Sequence, residues 1–483
     1  MKRKWVAVMV TCSFLAGSGG MYAGLKVTEE KDAEGRGEQP NIQQEMYKLP
    51  DELHKVQTAY DLISAKYVEK VDREKLVEGA IEGMLSSLDD PYSVYMDAET
   101  VNQFNDTLDS SFEGIGAEIT VIDGKLIIVA PFKNSPAEDA GLKPNDQIIS
   151  IDGKKVSGLN LYDATKKIRG EKGSTVKLGI MREGVSKPIE LKVKRDEIPL
   201  ETVNAKIKQE NSQSIGYIEI TSFSERTGRD FKAKLASLEE KDIKGLIIDV
   251  RGNPGGLLTS VEEILKELVT ANKPYLQIEE RTGKKVPYFT ERKQSKPYPI
   301  TVLIDKGSAS ASEILAGSLK EAEGYTVIGE KSFGKGTVQQ AVPLGDGSNI
   351  KLTTFKWLTP NGNWIHRKGI EPNIEIRQPD YFHVHPLQIE KTLKLEDNND
   401  QVKNAQEMLE GLGYGPGRTD GYFNKQTEKA VRAFQMQNSL KATGQIDTKT
   451  AEVLEGRLIE SIQDDRNDLQ LQTALKYIGE KVK

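Results

Sequence analysis

The spacing of apolar and polar residues changes several times along the chain, and these changes indicate where its different parts begin and end. Residues 51–68 and 73–88 carry apolar side chains at helical spacing, which predicts two amphipathic helices. Short β runs broken by glycine turns fill residues 113–195. Between 215 and 380, strands such as GLIIDV and PITVLID alternate with helical patterns, and helical spacing returns after residue 394. We therefore predict a multidomain protein with α+β and α/β parts.

Residues 1–48 have the composition of an export segment followed by a tether. Lys2, Arg3 and Lys4 precede a short apolar run, and small residues follow that run. This order is typical of a secretory signal, although with residues 21–27 the run is also long enough for an uncleaved anchor. We expect an exported, extracytoplasmic protein of the cell envelope, with residues 1–27 as signal peptide or anchor and residues 28–48 as a polar tether.

Charge and residue counts narrow the possible chemistry. The 483 residues carry a formal net charge of −6, which disfavours binding to nucleic acid through phosphate neutralisation. The chain has one cysteine, Cys12, and four histidines. Disulfide scaffolds, cysteine-rich zinc sites and cysteine nucleophiles are therefore excluded from the body of the chain, and we expect neither a metal nor a cofactor.

A glycine loop, a hairpin and a short helix follow one another in residues 111–196. The loop reads GIGAEI, the hairpin IDGKLIIV and a later turn DQIISIDG. This order resembles a PDZ domain. Backbone N–H groups in such a loop can bind a carboxylate, and the adjacent sheet edge can accept an extended peptide. The resemblance implies that Gly114, Ile115, Gly116 and Ala117 bind the free C-terminus of a protein or peptide, with Ile119 and a helix over 161–169 as pocket walls.

Three segments between 247 and 340 carry residues suited to catalysis. IIDVRGNPGG ends a strand in a turn whose glycines let backbone N–H groups approach a substrate oxygen. VLIDKGSASASEILAG places serines on a strand–turn–helix elbow, where a nucleophile is often held. VIGEKSFGKGTVQQ places Lys335 between two glycines after a strand.

GSASASE followed by FGKGTVQ resembles the carboxy-terminal processing, or tail-specific, serine proteases over about residues 50–380. The resemblance implies that Ser310 is the nucleophile, Lys335 the general base and Gln339 its orienting partner. It further implies an oxyanion hole formed by the N–H groups of Ala311 and Gly255. In this family the PDZ position can open or close the site, so Arg169 is either a sensor of that position or a solvated surface charge.

Elementary chemistry agrees with a serine–lysine pair. A serine hydroxyl needs a base to attack an amide, and the chain has few histidines. Burial can lower the pKa of lysine from about 10.4 towards neutrality. We expect Phe333, Val338 and Val342 to provide a dry wall for Lys335. Gln339 reaches the lysine amine if residues 335–339 form a turn, which the resemblance predicts; an extended segment would weaken its role.

Other candidate residues have simpler explanations. Ser312 is a rival nucleophile, but its position favours a helix cap. His366 is expected to be structural or to lie at the substrate rim. His383 and His385 form an H-x-H pattern without an evident third ligand, so a metal site is not expected there.

Residues 394–456 resemble the small three-helix peptidoglycan-binding modules of cell-wall enzymes. A near-repeat carries the resemblance, because Gly421 and Thr427 recur as Gly444 and Thr450. The module binds glycan, or it is a scaffold that contributes to a homodimer together with the N-terminal helices and residues 457–483. The charges of that last segment otherwise indicate a solvated helical face.

The sequence therefore predicts an exported serine endopeptidase that recognises C-terminal tails and acts in regulated envelope or sporulation signalling. The predicted parts are the segment 1–27, the tether 28–48, a helical region 49–110, the PDZ domain 111–196, the protease core 197–385, the wall-module-like domain 394–456 and a helical tail 457–483. The alternatives are a non-enzymatic PDZ and cell-wall scaffold, or a cell-wall hydrolase, for which no specific acidic pair or metal site is evident.

Overall fold

The computed structural model describes residues 50–482 except 110, 123, 133–134, 160, 183–184 and 186. The predicted signal or anchor and the tether lie outside the described residues. No helix in the described part is long and apolar enough to cross a membrane. Within the same part, no group of three or more His, Cys, Asp or Glu residues could hold a metal ion.

The N-terminal region forms the two predicted helices, α1 (Asp51–Lys66) and α2 (Arg73–Ser86). Asp72 caps α2 by accepting the backbone N–H groups of Glu74 and Lys75. No residue of α1 is fully buried, and its apolar residues Val56, Leu62 and Ile63 are exposed. A short strand, β1 (Val94–Met96), and helix α3 (Ala98–Leu108) lead into the next domain.

The PDZ-like segment folds around its own core. Its elements are β2 (Ser111–Gly114), β3 (Ala117–Ile122), β4 (Lys125–Pro131), α4 (Pro136–Asp139), β5 (Gln147–Ile151), β6 (Lys154–Lys155), α5 (Leu161–Ile168), β7 (Thr175–Met181), β8 (Ile189–Lys194) and β9 (Asp196–Pro199). The main sheet has the order β3–β4–β5–β7–β8, with β6 on β5, and β2 pairs with β9. Because β3 lies at an edge of this sheet, a peptide strand can be added beside it.

The predicted protease core contains two sheets. Its elements are β10 (Val203–Glu210), β11 (Gln213–Ile220), α6 (Thr227–Glu239), β12 (Gly245–Asp249), α7 (Leu258–Leu268), β13 (Leu276–Glu279), β14 (Lys285–Tyr288), β15 (Ile300–Ile304), α8 (Ala311–Ala322), β16 (Thr326–Gly329), β17 (Thr337–Pro343), β18 (Asn349–Leu358) and β19 (Ile374–Glu375). The larger sheet has the order β10–β11–β12–β15–β16–β19 and is parallel from β11 onwards. The smaller sheet has the order β1–β18–β13–β14, with β17 also paired to β18.

Both faces of the larger sheet are covered, which explains why every residue of β12 and β15 is buried. Leu246, Ile248 and Val302 belong to the core that includes α6, α7 and α8. Ile247 and Leu303 point to the opposite face. The glycine motif after β12 and the serine motif after β15 therefore follow the ends of fully buried strands.

The C-terminal region begins with a 3-10 turn and contains four helices. These elements are the turn (Asp380–His383), α9 (Asp400–Gly411), α10 (Lys425–Gln437), α11 (Thr448–Gln463), a second 3-10 turn (Asp465–Asn467) and α12 (Leu469–Lys481). Leu409, Phe423, Phe434 and Leu454 form part of a separate core between α9, α10 and α11.

Helix α12 returns to the protease core. Leu471, Ala474, Leu475 and Ile478 pack against the face of the larger sheet that carries Ile247. The charged residues Lys476, Glu480 and Lys481 lie on the exposed side of α12, as expected for a solvated helical face, while its apolar side completes the second layer over the sheet. A Cβ atom at position 245 would lie 2.2 Å from Ile478 Cγ2, so Gly245 permits this close contact.

Candidate active site

Ser310 lies at the elbow between β15 and α8. Its φ of 57° is in the left-handed region, which is unusual for a residue other than glycine. The residue is the N-cap of α8 and is fully buried. Its Oγ has no hydrogen-bond partner among the described residues. The elbow thus presents an uncommitted hydroxyl at a helix N-terminus, as a nucleophile requires.

The structure assigns Ser312 a different position from the one predicted. Ser310, and not Ser312, is the helix cap, so the prediction of a capping role for Ser312 is wrong. Ser312 lies in the first turn of α8, and its Oγ donates a hydrogen bond to the carbonyl oxygen of Asn253 at 2.9 Å. This hydroxyl therefore holds the glycine loop that follows β12.

Glu313 joins the serine segment to the lysine segment. One carboxylate oxygen accepts the backbone N–H groups of Ser310 and Lys335, each at 2.8 Å. The other oxygen accepts the Gly334 N–H and the Ser332 hydroxyl. Burial raises the pKa of Glu313, and these hydrogen bonds oppose the shift. Because both N–H groups donate to the same oxygen at 2.8 Å, the backbone nitrogens of Ser310 and Lys335 can lie no farther apart than the sum of these two distances.

Glu313 was not among the candidate residues predicted from the sequence. The signal for its larger role is the serine–x–x–glutamate spacing, in which the glutamate of a capping box bonds to the N-cap backbone. Its bonds to Gly334 and Lys335 depend on a distant segment, and no local pattern indicates them.

Lys335 is fully buried in the coil that precedes β17. Its Nζ lies 4.8 Å from the centre of the Tyr92 ring, and its carbonyl oxygen accepts the indole N–H of Trp357 at 2.8 Å. The predicted wall is only partly correct, since Phe333 and Val342 are 44% and 48% exposed whereas Val338 is buried. Tyr92 takes part in enclosing the amine, because β1 and β18 pair and bring the segment before β1 into the protease region.

Gln339 belongs to strand β17, so the predicted turn over 335–339 is wrong. Pairing with β18 draws this segment into an extended conformation, with a register irregularity between Val338 and Gln339. Its Nε2 donates to the hydroxyl groups of Thr337 and Thr353. Its buried Oε1 has no partner among the described residues. The extended conformation therefore weakens the predicted orienting role of Gln339, which is supported only by this free acceptor.

Gly255 contacts the nucleophile elbow directly. A Cβ atom at this position would lie 2.9 Å from Ser310 Cβ and 3.0 Å from Ala311 N, and the residue has a φ of 103°. Only glycine allows the loop to approach so closely. The Gly255 N–H donates to Asn253 Oδ1 at 2.8 Å, so it must exchange that acceptor before it can bind an oxyanion.

His366 lies beside Tyr92 at the outer side of the lysine pocket. Its ring stacks on Trp364 with the centroids 5.1 Å apart and meets Tyr92 edge-on. Burial lowers the pKa of His366, and its Nδ1 has no partner among the described residues. This position agrees with the predicted structural or rim role.

The PDZ-like domain contains a pocket of 150 Å³ between β3 and α5. Ile115, Gly116, Ala117 and Ile119 line it, as does Arg169, whereas Gly114 is not among the lining residues. The Arg169 guanidinium lies 4.8 Å from the centre of the Phe112 ring, which is also part of the lining. The arrangement places an arginine at the wall of an apolar pocket beside an open sheet edge.

Comparison with known proteins identifies the family. The model of peptidase family S41 matches residues 214–376. The carboxy-terminal processing protease CtpB of Bacillus subtilis (strain 168) is 59% identical over 478 residues, 99% of each chain. CtpA of the same organism is 43% identical over 428 residues, which are 89% of this chain and 90% of that relative. The chain belongs to the carboxy-terminal processing proteases of peptidase family S41.

This protease also matches models for its other parts. The CtpB N-terminal domain model matches residues 14–100, the PDZ model 114–193 and the peptidoglycan binding domain model 398–454. A solved photosystem II D1 C-terminal processing protease is 27% identical, with a TM-score of 0.42 over 68% of this chain and 94% of that chain. The multidomain α+β and α/β prediction and the serine protease prediction are confirmed, and the non-enzymatic scaffold is not favoured.

Proposed function

We propose that this carboxy-terminal processing protease cuts peptide bonds with Ser310 as nucleophile and Lys335 as general base. The observation that carries the proposal is the buried Glu313 carboxylate, which holds the backbones of both residues on one oxygen atom. A lysine acts as a base when its amine is neutral, and removal from water favours the neutral form. The complete burial of Lys335 supports that role.

In the proposed reaction, Ser310 Oγ bonds to the carbonyl carbon while its proton moves to Lys335 Nζ. The C–N bond then breaks, and the proton passes from Lys335 to the leaving amine. Water attacks the resulting ester with Lys335 again as base, which releases the new C-terminus and regenerates Ser310. The N–H groups of Ala311 and Gly255 stabilise the oxyanion, and Gln339 Oε1 accepts a hydrogen bond from the lysine amine.

The substrate is a protein tail with a free C-terminus that adds to β3 of the PDZ domain. Its terminal carboxylate faces the loop of Gly114 and Gly116, and its last apolar side chain enters the 150 Å³ pocket. Arg169 senses this occupancy, because a ligand in the pocket lies beside the guanidinium and its Phe112 platform. Peptide binding thereby couples to the protease site.

The C-terminal module supports a location outside the cytoplasm, in contact with peptidoglycan. A groove of 870 Å³ on this module is lined by Tyr414, Tyr422, Asn424 and Gln426, among others. Aromatic and amide side chains suit the faces and hydroxyl groups of sugars. In this setting the protease would cut an envelope protein in regulated signalling, as in sporulation.

A second copy of the chain would cover the N-terminal helices. Apolar side chains of this region stand exposed: Val56, Leu62, Ile63, Tyr67, Val68, Val77, Met84 and Leu88. Monomeric proteins rarely leave a large apolar patch uncovered, so the concentration of exposed apolar side chains on these two helices supports a homodimer.

Negative charges introduced into this group of apolar side chains should dissociate the dimer. Leu62→Glu combined with Met84→Glu is expected to halve the mass measured by sedimentation equilibrium, because burying the carboxylates would be costly. Val185→Glu, at an exposed position of the PDZ domain, should leave the mass unchanged. If the double variant has the same mass as the wild-type dimer, this interface is refuted. If the wild-type protein itself has the mass of a monomer, the dimer is refuted.

Covalent labelling tests the nucleophile. A fluorophosphonate probe should modify Ser310 alone, as mapped by mass spectrometry. The rate of labelling should rise when a peptide with an apolar C-terminal residue is added, and amidation of that C-terminus should remove the effect. Labelling of Ser312 would overturn the assignment of the nucleophile, and equal rates with both peptides would overturn the PDZ coupling.

A further inference from the structure

The side chain of Arg251 connects the loop after β12 to the start of α12. Its Nε and Nη2 bond to the Asp249 carboxylate, and its Nη1 and Nη2 bond to Asp468 at 2.9 and 2.7 Å. Nη1 also donates to Gln470 Oε1 at 2.9 Å. The guanidinium is thus held from both sides by residues that lie more than two hundred positions apart in the chain.

Asp468 is the N-cap of α12 as well as the partner of Arg251. One of its oxygens accepts the Leu471 N–H at 2.9 Å and the Gln378 amide. Burial acts to raise the pKa of Asp468, but the bond to Arg251 and its charge leave that pKa below the ordinary value. The carboxylate therefore stays ionised near neutral pH and keeps the helix joined to Arg251.

The loop that begins at Arg251 carries the proposed oxyanion donor and is fastened to the nucleophile elbow. The Gly252 N–H donates to Asp305 Oδ1, and Asn253 bonds through its carbonyl oxygen to Ala309 N–H and the Ser312 hydroxyl. The Asn253 side chain donates to Ile220 O and accepts the Gly255 N–H. Within this network, Arg251 is the contact between the loop and α12.

We propose that Asp468 and Gln470 of the C-terminal segment are positioning residues for the oxyanion loop, acting through Arg251. This inference rests on the proposed role of Gly255 in the oxyanion hole. Because the wall-module-like domain lies between β19 and α12, both ends of that domain connect to the protease sheet.

Asp468→Asn tests the inference, because it preserves an oxygen for the helix cap but removes the charge that pairs with Arg251. We expect kcat for a fluorogenic peptide with a free C-terminus to fall about tenfold, since one oxyanion donor accounts for roughly 10²–10³ in rate and here is only displaced. KM and peptide binding to the PDZ domain should change less than twofold. The fluorophosphonate labelling rate of Ser310 should fall in parallel with kcat.

Asp447→Asn is the matched control, because Asp447 caps α11 in the same way but has no bond to the protease core among the described residues. It should leave kcat, KM and labelling within twofold. Gln470→Leu removes one of the two acceptors of Arg251 Nη1 while retaining both carboxylates, and kcat should fall severalfold. All rates are measured well below the midpoint of each thermal transition.

Wild-type kcat and labelling in both Asp468→Asn and Gln470→Leu would overturn the inference. An equal loss in Asp447→Asn would also overturn it, because general weakening of the C-terminal region would then explain the effect. If Ser310→Ala keeps cleaving, the proposed dyad fails instead. If Ser310→Ala is inactive while Asp468→Asn is normal, the dyad stands and only the role of α12 fails.

Discussion

Ser310→Ala should abolish peptide cleavage, with kcat falling by about four orders of magnitude or more. The change removes the buried hydroxyl at the elbow, so no acyl-enzyme can form. Folding should be preserved, because Ser310 Oγ has no hydrogen-bond partner among the described residues and its backbone N–H still reaches Glu313. Cleavage is measured with a fluorogenic peptide, and binding of an uncleaved C-terminal peptide is measured by calorimetry.

Two serines of the same helix provide the comparison for Ser310→Ala. Ser318→Ala removes another buried hydroxyl of α8, which donates to Tyr275 O away from the site, and should keep wild-type kcat. Ser312→Ala removes one support of the glycine loop and should retain more than a tenth of the activity. Measurable turnover by Ser310→Ala, or complete loss in Ser312→Ala, would contradict the assignment.

Glu313→Gln should lower kcat by about a hundredfold, because displacement of reacting groups by about 1 Å has effects of that size. The carboxylate accepts four hydrogen bonds in a buried site, whereas an amide has one oxygen, and its NH₂ group would face donors. Buried donors left without partners cost about 1–3 kcal/mol each, so we expect the free energy of unfolding to fall by about 3 kcal/mol.

Glu321→Gln is the control for Glu313→Gln, because Glu321 lies on the same helix and accepts the Asn361 N–H near its other end. Both kcat and the free energy of unfolding should remain near wild type in that variant. Urea unfolding and peptide kinetics on the same preparations separate the two effects. A Glu313→Gln enzyme that keeps its kcat would show that the carboxylate does not hold the serine and lysine segments in register.

Local sequence patterns determined the secondary structure around the site. Helical spacing predicted α1 and α2, and continuous apolar runs predicted β12 and β15, because a parallel sheet with two covered faces buries every side chain of its inner strands. The glycine loop, the serine elbow and the lysine segment were visible as motifs, and family resemblance supplied the roles of Ser310 and Lys335.

Predictions that depended on contacts between distant segments were less accurate. Gln339 was assigned to a turn on the basis of its spacing from Lys335, but pairing with β18 makes the segment extended. Phe333 and Val342 were expected to enclose the amine, yet both are substantially exposed, and Tyr92 contributes instead. Its position depends on the pairing of β1 with β18, which no local pattern encodes.

The sequence by itself therefore determined which segments become strands, elbows and caps, since these depend on neighbours a few residues away. Only the tertiary structure decided that Glu313 joins the serine and lysine segments, that Tyr92 lies over the lysine, and that α12 packs on the protease sheet. The physical reason is that these contacts join residues far apart in the chain. They form when buried polar groups find partners and apolar faces are removed from water, and both depend on the complete fold.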